Sequence, residues 1–288
     1  MKKINELLRN LEIKPIHYEK NGKATIVTTK NGKYVVKKNP DPIYNYLNQR
    51  TFEYYPNIRI IGDYEVAEYL EEPIIPDDQK ILDMASLIAL LHVKTTHYKP
   101  IEEYGYQDIY ETIKGNLEYL KKQYDDKMDK VESEIFMSPS SYLLARHITA
   151  IYNMLKFCND GIEKWYKKVK EEKKIRLVIL HNNLSLDHFF GNKLISWNKA
   201  KIGPPIFDLY KFYKKTYTPF VWEEVMKKYL ANYPLKEEEL ELFYIMISIP
   251  SPLELHDTEY QNVKFIHEEL DYMNKTNHFI EQMKKTSS

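Results

Sequence analysis

The 288-residue sequence holds a single cysteine, Cys158, so no disulfide can close within the chain and no cysteine-based metal site can be assembled. Cys158 sits in the apolar-periodic stretch 151–158, which points to a buried thiol rather than a nucleophile. Neither sign of charge is in excess. Lys and Arg number 42 against 42 Asp and Glu, with no basic run, which leaves no electrostatic footprint for nucleic acid or an anionic membrane. No stretch approaches the roughly 18 apolar residues that cross a bilayer. The first ten residues also lack the apolar core of a secretion signal, so the expected compartment is the cytoplasm. Internal repeats and low-complexity segments are missing as well. What is present, 43% hydrophobic and 14% aromatic residues, suffices for a sizeable core in one large domain or two lobes sharing an interface.

The residue pattern changes period once along the chain. Residues 13–19, 24–30 and 33–38 are short β-branched and aromatic runs separated by Asn21-Gly22 and Asn31-Gly32. An Asn-Gly pair between such runs predicts a type I′ hairpin turn with positive φ at both residues, and two in series make an antiparallel meander. Pro40 and Pro42 end the third strand, residues 44–53 predict a helix, and strands follow at 58–61 and 64–70. Pro73 and Pro76 mark 71–76 as a linker, since proline disfavours helix and removes a backbone donor. Beyond it Ile81, Met84, Ala85, Ile88 and Leu91 fall at helical spacing behind Asp77-Asp78. Further helices are predicted over 106–130 and from Ser141 towards Lys170, the latter capped by Ser138-Pro139. A late β-island, 175–180 and 194–197 around the loop 181–191, interrupts a half that is helical again from Pro205. The fold class implied is α+β: a small antiparallel β lobe with one helix (1–72), then a larger, mainly helical lobe (73–288) carrying the loop 181–200.

The island reads Val178-Ile179-Leu180-His181-Asn182-Asn183-Leu184-Ser185-Leu186-Asp187-His188, then Leu194-Ile195-Ser196-Trp197, then Gly203-Pro204-Pro205-Ile206-Phe207-Asp208-Leu209. It resembles the aminoglycoside phosphotransferase and choline-kinase branch of the protein-kinase-like fold, in particular its spore-coat-protein-like relatives. That family carries a His-Gly-Asp loop with an Asn five residues after the Asp, a second Asp on a short strand, and a Gly-x-Pro-x-x-Asp-Leu segment opening the next helix. The motif match covers about thirty residues, and the order of lobes agrees across the whole chain.

The resemblance implies chemistry that needs three oxygen-bearing groups. One Asp orients or accepts the proton of the attacking hydroxyl, while the Asn and the second Asp hold magnesium on the nucleotide phosphates. Carried over by position, these become Asn183, His188 and Ser196. Asn183 can orient a hydroxyl but cannot take its proton, His188 suits zinc better than magnesium, and Ser196 is a neutral, weak ligand. The remaining frame matches: His181 as the histidine that holds the loop, and Asp208 as the helix-start acid that braces it through backbone donors. Asp187, the one acid inside the loop, reads as solvated. A kinase covers the phosphates with a glycine-rich loop between its first two strands; Asn21-Gly22 offers one glycine there. Lys37, which alternation places on one face with Val35, or its neighbour Lys38, matches the family's phosphate-binding lysine. Its helix partner is expected to be Glu53, the only acid in 44–56. His92, His97 and His181 are too dispersed for a metal triad, and His92 matches a Leu-His helix ending with a packing role. Lys199 and Lys201 are expected to be solvated, with an anion in the old phosphate cleft as the alternative.

Two functions follow from these readings. One is a pseudokinase, a binding or scaffold module for a small molecule or a protein, with no cofactor expected. The other is an active phosphotransferase that uses ATP and magnesium on a small-molecule hydroxyl with rearranged residues. Asn183, His188 and Ser196 favour the first.

Overall fold

Three two-residue turns build the first sheet of the computed structural model, which describes residues 8–9, 11, 13–40, 42–71, 73–101, 105–254 and 256–286. Strands β1 (Pro15–Asn21), β2 (Ala24–Thr29), β3 (Gly32–Lys38), β4 (Ile58–Ile61) and β5 (Tyr64–Glu68) pair antiparallel in the order β1-β2-β3-β5-β4. The hairpins fall where the Asn-Gly pairs place them, but the turns differ in type. Asn21 pairs with Ala24, so the first turn is Gly22-Lys23, and of Asn21, Gly22 and Lys23 only Gly22 takes positive φ (56°). Glycine first in a two-residue turn is the II′ pattern, whose twist also suits the flanking strands. The pleat then separates two faces. Val27, Val36 and Val66 pack with Leu8 on one side. Ile26, Val35, Lys37, Glu65 and Ala67 look out on the other.

Helix α1 (Ile43–Gln49) lies between β3 and β4 in sequence. It ends earlier than the 44–53 expected, and Thr51 turns the chain with φ at 54°. Its buried Tyr44 and Leu47, with Phe52 after it, belong to the core of the larger lobe rather than to the sheet's own cluster. Phe52 meets Trp197 edge-on with ring centroids 6.0 Å apart, and Leu194 N donates to the Tyr54 carbonyl at 2.9 Å. The helix that sequence order assigns to the small lobe is therefore packed into the core of the large one, and its Tyr44 also lines the cavity bordered by the sheet's second face.

The remaining helices are α2 (Asp77–Thr95), α3 (Gly105–Ser133), α4 (Pro139–Val169), α5 (Ile206–Thr216), α6 (Trp222–Asn232), α7 (Glu237–Ser248) and α8 (Glu259–Thr286). Ser138 caps α4, accepting from Ser141 N, behind a proline in the first turn. Cys158 is fully buried on α4, and its burial pushes the thiol up to about 12, so it is no nucleophile. A second sheet runs β10 (Lys201–Gly203), β7 (Lys174–Leu180), β6 (His97–Pro100), all antiparallel; β8 (Phe189–Phe190) and β9 (Lys193–Leu194) form a short hairpin. Strand β6 has no alternation to announce it: His97 is half-buried and Tyr98, Lys99 and Pro100 are exposed on the sheet edge. Gly203 packs so closely that an added Cβ would stand 2.7 Å from Leu180 Cδ1. Gly203→Ala is expected to destabilise the fold by about 1–3 kcal/mol in urea unfolding. An unchanged midpoint would mean that Leu180 re-rotates without cost.

Candidate functional site at the lobe junction

The loop begins where β7 leaves the sheet. Asn182 takes φ of 59°, a left-handed conformation that asparagine accepts better than most residues. Glycine stands at this position in the family that the segment resembles. The Asn182 side chain then ties the loop down: Nδ2 donates to the Lys199 carbonyl at 2.8 Å, and Oδ1 accepts from Lys211 Nζ. Asp208, in the first turn of α5 and fully buried, accepts from His181 N and Asn182 N, each at 2.7 Å. Oδ2 also faces His92 Nε2 at 3.4 Å, while His92 Nδ1 is 2.6 Å from the Tyr229 hydroxyl. A carboxylate removed from water needs such donors and gains from its place near a helix N-terminus.

His181 is also fully buried. Its Nε2 donates to the Ile195 carbonyl at 2.9 Å, and its ring lies edge-on to Trp197 at 4.6 Å. Nδ1 has no hydrogen-bond partner among the described residues. Burial drives the imidazole pKa down to about 4, against the opposing pull of Asp208 and the Ile195 bond.

Asn183 is half-buried, and its carbonyl accepts from His188 Nδ1 at 2.7 Å. No hydrogen bond reaches its side-chain amide among the described residues. His188 closes a single 3-10 turn (Leu186–His188) whose start is capped by Ser185, with Asp187 N donating to Ser185 Oγ at 3.2 Å. Ser196 takes φ 65° and ψ 50° at the opening of a second such turn.

Between the lobes lies a cavity of about 450 Å³. Asp187, His188, Ile195 and Ser196 line one side, and Lys37, Val35, Ile26, Glu65 and Ala67 the other, with Tyr69 and Leu70 at the connection. Lys37, His188 and Ser196 are thus brought together. Asn183 is in contact with His188 but does not itself line the cavity. Lys37 is half-buried while Lys38 is exposed, which selects the former as the cavity lysine. Glu53 corrects the expectation: it is exposed, beyond the end of α1, on a separate depression with Thr51, Tyr54 and Lys193. The acid directly across from Lys37 is Glu65, its register partner on β5, 4% exposed and reached by the Tyr44 hydroxyl at 3.4 Å. The alternation that places Lys37 on this face places Glu65 and Ala67 there too, once β5 is paired with β3. Glu68 is tied to Lys193 at 2.5 Å and to Asn57, which holds its carboxyl below the usual range.

Magnesium asks for near-octahedral oxygen ligands. Asn183 offers an amide, His188 an imidazole already bonded through Nδ1, and Ser196 a hydroxyl. Among the described residues no three His, Cys, Asp or Glu groups converge as metal ligands.

No family model matches the chain, and no curated protein matches it in sequence. Solved structures do. An aminoglycoside phosphotransferase from Alicyclobacillus acidocaldarius aligns with TM-score 0.69 at 9% identity, over 94% of this chain and 92% of its own. A spectinomycin phosphotransferase in complex with ADP and spectinomycin aligns with TM-score 0.52 at 11% identity, over 96% and 98%. A choline kinase from Streptococcus pneumoniae aligns at 0.49 with 15% identity, over 97% of each chain. At such identities the likeness concerns architecture: the chain has the α+β, protein-kinase-like fold of aminoglycoside phosphotransferases.

Proposed function

We propose that the chain is a pseudokinase, a binding module that uses the interlobe cavity without magnesium-dependent phosphoryl transfer. One observation carries the reading. His188 and Ser196 line the cavity at the positions that correspond to metal ligands in the family the segment resembles, and neither brings a carboxylate. The cavity is nevertheless formed, with Ile26, Val35 and Ala67 making an apolar sheet wall suited to a flat ring, Lys37 on that same wall and Leu70 at the connection. Its occupant is a small molecule or a short protein segment, and the chain works in the cytoplasm. Among the described residues no helix is long and apolar enough to cross a membrane.

Calorimetric titration with ATP and ADP, in magnesium and in chelator, tests this. Nucleotide affinity is expected to change by less than about twofold between the two. A tenfold gain with magnesium, about 1.4 kcal/mol, would overturn the reading. Asp187 supports a second reading, an active transferase with a displaced base, because it lines the cavity and is exposed. ADP release that requires magnesium and stops in Asp187→Asn would carry that alternative instead.

A further inference from the structure

Lysine gathers around the loop at residues that do not line the interlobe cavity. Lys211 and Lys215 stand four apart on α5, hence on one face, where like charges repel. Both point back at the loop: Lys211 Nζ donates to Asn182 Oδ1, and Lys215 Nζ donates to the Leu184 carbonyl at 2.9 Å. Lys199 is held beside them through its carbonyl, which accepts from Asn182 Nδ2 at 2.8 Å. Lys201 follows on β10, opposite Leu180. Burial first, and then Lys201, Lys199 and Lys215, lower the pKa of Lys211 against the pull of Asp208, so the charges of the other three lysines reach Lys211.

Among the described residues none of the four lysines joins an ion pair. Asp208 is fully buried and already engaged by two backbone N–H groups. The half-buried Asn183 amide, free of partners among the described residues, stands next to Asn182 and Leu184 in the same loop.

We propose that Lys199, Lys201, Lys211 and Lys215, with the Asn183 amide, form a binding site for a phosphate dianion, free or as a phosphomonoester. Ammonium groups bind phosphate as point charges, and several converging on one place suit a group with two charges and three or more acceptor oxygens. The same field repels a cationic ligand. None of these residues lines the interlobe cavity, so this site and the magnesium-free reading of that cavity can fail independently.

Thermal-shift and calorimetric titrations with inorganic phosphate and with glycerol 3-phosphate, against sodium chloride at equal ionic strength, test the site. Saturable stabilisation by phosphate beyond the chloride control is expected. Tighter binding of glycerol 3-phosphate would identify a phosphomonoester as the ligand form, and equal or weaker binding would identify free phosphate. The exposed pair Lys199→Gln/Lys201→Gln, and separately Lys215→Gln, should weaken binding at least tenfold, while the exposed Lys122→Gln, on the helix α3, leaves it unchanged. Shifts no larger than those of chloride, or affinity retained in the double variant, would overturn the proposal.

Discussion

Replacing Asp208 by alanine is expected to lower the free energy of unfolding by about 3–5 kcal/mol, the range seen when one member of a buried charged network is removed. The carboxylate is fully buried and accepts two backbone N–H groups at 2.7 Å. Alanine leaves both donors without an acceptor, at about 1–3 kcal/mol each, and leaves His92 Nε2 facing empty space. Asparagine keeps one acceptor oxygen but turns an NH₂ towards a backbone donor, so Asp208→Asn should fall between wild type and alanine. The effect is also directional. Asp208 joins α5 to the end of β7, so the variants should loosen the loop and weaken phosphate binding along with stability. Urea unfolding at neutral pH measures the first effect. A loss under about 1 kcal/mol would mean that the two N–H groups find other partners and that the brace is dispensable.

How far the fold could be read from residues alone follows from which interactions are local. The three hairpins are local, and the alternation that lays out β1 to β5 holds in the sheet. The turn type is less so, because placing Gly22 first rather than second depends on a one-residue choice of register. Lys37 was legible through alternation. Its acid neighbour was not, since pairing β3 with β5 brings in Glu65 from a strand 28 residues away. Glu53 misled for a physical reason. Phe52 is drawn into the core against Trp197, and in the non-helical segment after α1 the next side chain turns outward. The i, i+4 spacing of Lys211 and Lys215 was open to view, but their convergence on Asn182 and Leu184 depends on how α5 docks, which Asp208 determines from inside the molecule.

Acidification from neutral pH towards pH 4 is expected to remove about 3 kcal/mol of stability through His181 alone. The imidazole is lowered from an ordinary 6.5 to about 4, chiefly by burial. Its Nε2–H is already given to the Ile195 carbonyl, so a second proton must go to Nδ1, which has no acceptor among the described residues. The folded protein therefore holds the ring neutral where the unfolded chain would protonate it. In that interval the unfolded state binds more protons, and stability rises with pH. The contribution is complete above about 6.5 and is lost as pH falls towards 4. Carboxylates titrate in the same window, so the informative quantity is the difference between wild type and His181→Gln. The variant should be less stable at pH 7, having lost the Ile195 bond and the edge-on contact with Trp197. Its unfolding free energy should fall more gently below pH 6.5, so that the two curves converge towards pH 4. Parallel curves over that range would show that His181 protonates in the folded state as readily as in the unfolded one, and that its burial does not oppose charge.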